Sequence, residues 1–178
     1  HPVRAALEGG LDPLVVVTGG EGTGAQAALE EWRKVRGTRD GDPALQWIVN
    51  PAPEEGLASS LRIGVSGLVA GTSAAVVLLG DMPWVRGETI RALVRAHRRS
   101  PEAACVPVHE RRRGNPVLWP APFFEALIRL EGDQGARALL RDPATPVREV
   151  PVNDPGVHRD VDTPADLAEL ADPGTDGS

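Results

Sequence analysis

The chain has 178 residues and a formal net charge of −6 at pH 7. This length suits one domain with a full hydrophobic core, and this charge argues against non-specific binding to nucleic acid or to a membrane surface. The single cysteine, Cys105, excludes an intrachain disulfide and a cysteine-based zinc site, and there is no apolar run of transmembrane length. We expect a monomer in the reducing cytoplasm.

The apolar pattern alternates between helical and strand periodicity along the chain. It predicts helices at 2–8, 25–35, 57–69, 87–99, 121–130 and 135–141 and from 163 onward, and strands at 14–17, 45–49, 74–79, 103–108, 115–119 and 147–152. Such alternation is typical of an α/β domain whose mostly parallel sheet has helices on both faces. We therefore predict one domain over residues 1–172, followed by a disordered tail at 173–178.

The first predicted strand leads into a glycine-rich loop at residues 19–24. Gly22, Gly24 and Ala27 form a loose version of the dinucleotide-binding fingerprint, but the next strand ends in Asn50 where that fingerprint needs an acid. The loop also lacks the Lys-Ser/Thr of a P-loop. A plain flexible loop is the better interpretation.

The second predicted strand ends at Asn50, and Gly56–Gly64 begins the next helix with small and hydroxyl residues. Free N–H groups at a helix N-terminus can bind an anion or the polar edge of a ligand. A serine helix cap would explain Ser59 or Ser60 alone, but not the whole run. Both a ligand site and a structural cap remain open here.

The third predicted strand is a continuous Ala/Val/Leu run that ends in Gly80-Asp81-Met82-Pro83. Strands buried on both faces look like this in parallel sheets, and ligands bind beyond the carboxyl ends of such strands. A carboxylate at that place suits a hard cation such as Mg²⁺. The alternative is that Asp81 only forms a turn or caps the following helix.

Three further segments bring polar groups together. Arg111-Arg112-Arg113-Gly114 is predicted as the turn of a hairpin-like excursion, followed by Asn115 and Pro116. The turn at 132–137 contains Asp133 and Arg137 between two short helices. Asp160 and Asp162 lie on one side of an extended segment before the last predicted helix, so that a second metal ligand is available. Each segment alone could be a solvated loop or a cap.

Taken in order, these motifs resemble the MobA-like NTP transferases, and most of all the molybdenum cofactor cytidylyltransferase branch. The matching segments are Asn50-Pro51, Gly56–Gly64, Leu79–Pro83, Arg113–Val117, Gly132–Arg137 and Asp160–Pro164. The resemblance implies a Rossmann-like three-layer domain of the nucleotide-diphospho-sugar transferase type. It also implies transfer of CMP from CTP to the phosphate of molybdopterin with Mg²⁺ as cofactor, and transient contact with a molybdoenzyme.

The resemblance also implies roles for individual residues. Asp81 would be the catalytic metal ligand, with Asp162 or Asp160 as the second. The nucleotide would contact Thr18, Gly19, Asn50, Gly56, Ser59, Ser60 and Gly80. The acceptor would contact Arg113, Gly114, Asn115, Asp133 and Arg137.

One departure from the family pattern is large. Members open with a strand and a glycine-rich loop that carries an arginine and is followed by a lysine, whereas Pro2–Leu7 matches the helix after that loop. We expect the N-terminal strand and its loop to be absent from this sequence. Because that loop contributes to base preference, two other functions stay open. One is a related transferase using GTP or a sugar phosphate, and the other is a non-catalytic relative that binds nucleotide or cofactor.

Overall fold

The computed structural model describes residues 2–20, 45–132, 135–161 and 166. The helices are α1 (Pro2–Glu8), α2 (Leu57–Ser66), α3 (Gly87–His97), α4 (Phe124–Ile128) and α5 (Arg137–Arg141). The strands are β1 (Leu14–Gly19), β2 (Leu45–Asn50), β3 (Ala74–Val77), β4 (Ala104–His109), β5 (Arg112–Arg113), β6 (Val117–Pro120) and β7 (Val147–Pro151). Short 3₁₀ turns lie at Pro53–Glu55, Ala121–Phe123 and Pro155–His158.

The strands of the described residues form two sheets. One contains β1 and β2, which are parallel in the register Leu14 to Leu45. The other has β6 between β3 and β4, with both pairings antiparallel, while β4 also pairs with β5 and, in parallel, with β7. The α/β class is confirmed. The expected parallel character holds for β1–β2 and β4–β7, whereas the β4–β5–β6 excursion adds antiparallel pairs.

The main core lies between the larger sheet and helices α2, α4 and α5. Trp119, Val106 and Leu127 are almost fully buried there, and Val65 of α2 joins the same cluster. A second cluster lies under α3, where Leu93 packs on Cys105 and neighbouring residues. Helices therefore cover both faces, as the alternation of elements predicts.

Helix α2 packs on both sheets. Its Val65 belongs to the core of the larger sheet, while Gly64 and Gly67 face the smaller one. A Cβ on Gly67 would lie 2.8 Å from the end of the Ile48 side chain in β2, so this part of the chain packs closely on the smaller sheet. Within the described residues, β1 pairs only with β2 and β3 only with β6, and the two sheets share no backbone ladder.

Several predicted boundaries need correction. The hairpin turn is at Glu110 and Arg111, which have φ values of 48° and 64°, and it is not at 111–114. Two consecutive residues in the left-handed region form the tight turn that suits the twist of a two-residue hairpin, so Arg112 and Arg113 continue as strand β5. Gly56, rather than a serine, is the N-cap of α2 and has a φ of 89°.

Some segments are shorter than predicted or lie outside the described residues. Residues 121–130 form a 3₁₀ turn followed by the five-residue helix α4. The helix predicted at 25–35, most of the helix predicted from 163 onward and the tail at 173–178 lie outside the described residues, as do Gly22 and Gly24. No helix in the described part of the chain has both the length and the apolar character that a membrane span requires.

Candidate active site

Three segments meet at one edge of the larger sheet. Because β6 is antiparallel to both β3 and β4, strands β3, β4 and β7 run in the same direction, and their carboxyl ends share that edge. The loop with Asp81 follows β3, the loop with Gly114 comes after β4 and β5, and residues 152–161 follow β7. This edge is where α/β sheets bind their ligands.

Backbone hydrogen bonds hold these three segments together. The Val161 N–H donates to the Asp81 carbonyl at 2.7 Å, and the Asn115 N–H donates to the Val157 carbonyl at 3.0 Å. At Gly114, a Cβ would lie 2.4 Å from that same Val157 oxygen. The approach is too close for any side chain at this position, which explains why glycine is required in the predicted acceptor loop.

The carboxylates of this cluster are free to bind a cation. Asp81 and Asp160 are both exposed, and Asp160 immediately precedes the residue that bonds to Asp81. Neither carboxylate has a hydrogen-bond or ion-pair partner among the described residues, where no group of three or more His, Cys, Asp or Glu side chains forms a metal site either. Mg²⁺ commonly takes one or two carboxylates and completes its shell with water and substrate phosphates, so this donor set fits the ion.

A buried carboxylate, Asp154, fixes the third segment. It is 2% exposed and accepts hydrogen bonds from the Arg86 N–H at 2.9 Å, the Thr89 hydroxyl at 2.6 Å and the Gly156 N–H at 3.0 Å. It therefore satisfies donors at the start of α3 from a distant part of the chain, as a helix-capping side chain does.

The close packing of Gly156 on Trp84 also helps to hold the segment of residues 152–161 in place. A Cβ there would lie 2.4 Å from the carbonyl oxygen of Trp84. In addition, the Arg159 guanidinium lies 3.9 Å from the centroid of the Trp84 ring, a cation–π distance. Neither Asp154 nor Gly156 was predicted from the sequence, although Asp-Pro-Gly is a turn signature that could have indicated them.

The predicted nucleotide residues form a second cluster at the start of α2. The Asn50 side chain is 1% exposed and its amide donates to the hydroxyls of Ser59 at 2.7 Å and Ser60 at 3.0 Å. Its Oδ1 accepts the Ala52 N–H at 2.9 Å, and Ser59 is itself 3% exposed. These two side chains hold the 50–60 loop in shape, which makes them positioning residues for any ligand there.

Other predicted site residues lie around these two clusters. The Gly135 backbone approaches α2, because a Cβ there would lie 3.1 Å from Leu57. Thr18 has a buried hydroxyl without a hydrogen-bond partner among the described residues, and Gly19 and Gly80 are exposed.

Of the remaining predicted site residues, two are exposed arginines and two are not described. Arg113 forms an exposed ion pair with Glu149 at 2.8 Å, and Arg137 is exposed at the start of α5. Asp133 and Asp162 lie outside the described residues. The roles predicted for all these residues stay predictions.

Comparison with known proteins finds a matching family and a similar protein sequence. The family model of the MobA-like NTP transferase domain matches residues 1–149. A phosphoenolpyruvate guanylyltransferase from Sphaerobacter thermophilus is 32% identical over 120 residues, which are 67% of this chain and 57% of that protein. The chain thus spans little more than half the length of that relative.

Solved structures agree with the fold. The crystal structure of Rv0371c from Mycobacterium tuberculosis H37Rv has a TM-score of 0.73 at 27% identity, covering 95% of this chain and 80% of that one. A complex of Rv0371c with manganese has a TM-score of 0.72 at 25% identity, covering 95% and 83%.

Proposed function

Since the chain belongs to the MobA-like NTP transferase domain family, we propose that it transfers a nucleoside monophosphate from an NTP to a phosphate-bearing acceptor. The reaction we favour uses CTP and molybdopterin. An oxygen of the molybdopterin phosphate forms a bond to the α-phosphorus of CTP. The bond between the α-phosphorus and its bridging oxygen breaks, and pyrophosphate leaves with the electron pair.

The observation that carries this proposal is the joining of Asp81 and Asp160 at the carboxyl edge through the hydrogen bond between Val161 and Asp81. Phosphoryl transfer depends on positioning and on neutralising charge, so it needs a divalent cation and fixed donors more than a protein nucleophile. When bound, such a cation neutralises charge on the triphosphate. Asp81 and Asp160 are the described residues that would hold it.

The protein's own residues position the groups that take part in the reaction. Asp154 and Gly156 fix residues 154–156, and the bond from Val161 to Asp81 keeps the backbone next to Asp160 beside the Asp81 loop. The Asn50 and Ser59 network shapes the start of α2, where backbone N–H groups favour a phosphate or the polar edge of a base. Gly114 and Asn115, bonded to the same 152–161 segment, would face the acceptor.

A second candidate is transfer of GMP from GTP. It is favoured by the relative that is 32% identical, which is named as a phosphoenolpyruvate guanylyltransferase. The cytidylyl reaction is supported instead by Gly56–Gly64, whose sequence resembles the cytidylyltransferase branch. The two candidates share the cation site and differ in the base and the acceptor.

Pyrophosphate release tests the proposal. The protein is incubated with CTP, GTP, ATP or UTP, with Mg²⁺ or Mn²⁺, and with molybdopterin or phosphoenolpyruvate as acceptor. We expect release with CTP and molybdopterin, and loss of about 100-fold or more in Asp81→Asn, the scale for removing a key electrostatic group from an active site. Asp142→Asn, on an exposed turn, is the matched control.

Each alternative outcome has a meaning. Release with GTP and phosphoenolpyruvate would replace the favoured reaction by the second candidate. Unchanged turnover in Asp81→Asn would reject its role. Absence of release with every NTP, together with retained nucleotide binding, would identify a non-catalytic relative.

A further inference from the structure

A groove with three arginines at its rim lies between helix α3 and the outer edge of strand β7. Its volume is about 220 Å³, and Arg95, Arg99 and Arg148 line it. The floor between them is apolar and includes Ala96 and Val150. All three arginines are exposed, and their guanidinium groups have no hydrogen-bond or ion-pair partner among the described residues.

The groove is remote from the candidate active site. Helix α3 begins at the carboxyl edge of the sheet, because Asp154, which follows β7, bonds to the Arg86 N–H at the start of α3. The helix then runs back to the amino edge, where the chain enters β4. Arg95 and Arg99 belong to this far end, and Arg148 is the second residue of β7.

The charge arrangement is unfavourable without a ligand. Arg95 lies in the last turn of α3 and Arg99 lies two residues beyond its last residue, and like charges so close along the chain repel each other. Arg148 adds a third positive charge, in a protein whose net charge is −6. Glu149 also lines the groove, but its carboxylate is bonded to Arg113. Elsewhere among the described residues, Arg4, Arg62, Arg91 and Arg129 each have a glutamate partner, whereas exposed arginines such as Arg98 and Arg141 have none.

The helix C-terminus explains only part of this pattern. Basic residues in the last turn of a helix interact favourably with its dipole, which accounts for Arg95 and for Arg99 just beyond the helix. It does not account for Arg148, which belongs to a strand. Arginines from two elements that line one groove can together bind phosphate, through forked charge-assisted hydrogen bonds.

The volume of the groove and the two prolines of the β7 segment indicate which anion fits. A volume of 220 Å³ is below the range of about 300–1,000 Å³ for pockets that take drug-sized ligands, so the groove suits a small anionic group better than a whole nucleotide. An acidic peptide could add a strand to the edge of β7 that has no partner strand in the described part of the chain. However, Pro146 precedes this strand and Pro151 ends it, so only a short length of edge is available for pairing.

We propose that this groove is a second, non-catalytic site, which binds a small phosphate-bearing anion through Arg95, Arg99 and Arg148. The ligand is inorganic phosphate or the monoester of a small molecule, because both offer the same dianionic head group. Binding relieves the repulsion between the three guanidinium groups. The site requires neither a divalent cation nor the carboxylates at the other edge of the sheet.

The test is the ³¹P NMR line width of inorganic phosphate, and separately of glycerol 3-phosphate, titrated with the protein in EDTA at about 150 mM NaCl, where surface charges are well screened. We expect saturable broadening. Arg148→Gln and the double variant Arg95→Gln/Arg99→Gln should each weaken binding about tenfold, the scale of one lost hydrogen bond to a charged group. The matched control Arg98→Gln, a neighbouring exposed arginine that does not line the groove, should bind normally.

Two further measurements separate this site from the active site and from a folding defect. Asp81→Asn should keep full phosphate binding, so failure of the proposed nucleotidyl transfer would leave this result unchanged. The melting temperature of Arg148→Gln without phosphate should equal or exceed that of the unaltered protein, since repulsion is removed. Stronger binding of the ester than of the free ion would identify a metabolite as the ligand. Equal broadening in the triple arginine variant, or binding of polyglutamate without binding of phosphate, would overturn the proposal.

Discussion

Replacing Asp154 by alanine should destabilise the protein more than any other single removal of a side-chain hydrogen-bonding group described above. The carboxylate is 2% exposed and accepts three hydrogen bonds, from Arg86, Thr89 and Gly156. Its loss leaves two backbone N–H groups and one hydroxyl without their acceptor at a largely buried position. It also removes the cap of α3.

The magnitude follows from these contacts. A hydrogen bond to a charged group contributes about 1.5–3 kcal/mol, and loss of a helix cap costs about 0.5–2 kcal/mol. Because the three bonds share one carboxylate, their contributions are not additive, and we expect a total of about 3–5 kcal/mol. For a chain of this size the melting temperature then falls by roughly 2–4 °C for each kcal/mol. Thr89→Val removes only one of the bonds and should cost about a third as much, on the basis of a typical single hydrogen bond.

Urea unfolding followed by circular dichroism measures the change, with Asp142→Ala as the control. Asp142 also accepts a backbone N–H, from Ala144, but on an exposed turn, so its removal should cost well under 1 kcal/mol. A loss below about 1 kcal/mol in Asp154→Ala would refute the reasoning, because a buried carboxylate with three donors cannot then be holding the segment. Asp154→Asn should be less destabilising than Asp154→Ala, since its amide oxygen can still accept the bonds from Arg86 and Thr89, while its NH2 group would face the Gly156 N–H.

Three other measurements check separate parts of the structure. Gly156→Ala, whose Cβ would lie 2.4 Å from a backbone oxygen, should destabilise by about 1–3 kcal/mol in urea unfolding, as overpacked sites do, whereas Gly80→Ala, with nothing within 4 Å, should be near neutral. Burial raises the pKa of the Cys105 thiol, so the unfolded chain loses this proton first and stability should fall as the pH rises above about 9; Cys105→Ala should flatten that part of the stability curve. Disruption of the exposed Arg113–Glu149 pair by Glu149→Gln should change stability by less than about 1 kcal/mol, and a larger loss would show that the pair is more than a surface contact.

The fold class was predictable because two of its signals are local properties of the sequence. These are the spacing of apolar residues and the Gly and Pro residues that end helices and strands. Helix α1 has the predicted bounds, and α3 agrees to within two residues, since its Ile90 and Leu93 have the helical spacing of a buried face. The hairpin turn was misplaced because three successive arginines suggested a solvated loop. The left-handed backbone at Glu110 and Arg111 is set by strand pairing, which no single-residue preference reports.

The candidate site was predictable only in part for a related reason. Asp81 stands out because a carboxylate follows an apolar strand, and Gly114 because it precedes Asn-Pro. Asp154 acts across 68 positions of sequence through its bond to Arg86, and nothing in its neighbourhood indicates that partner. Asn50 and Ser59 are predicted to contact the nucleotide, and this stays a prediction; the structure adds that their side chains bond to each other, which the sequence did not indicate.

The division of the strands into two sheets has a consequence for how the molecule opens. Among the described residues, β1–β2 and the larger sheet are connected by side-chain packing on α2, without a shared ladder of hydrogen bonds. Packing contacts are non-directional and can be lost in one region while a neighbouring ladder persists. The amide protons of β1 and β2 should therefore exchange with solvent by a smaller, earlier opening than those of β4 and β6. The molecule would then behave as two cooperative units on either side of one helix.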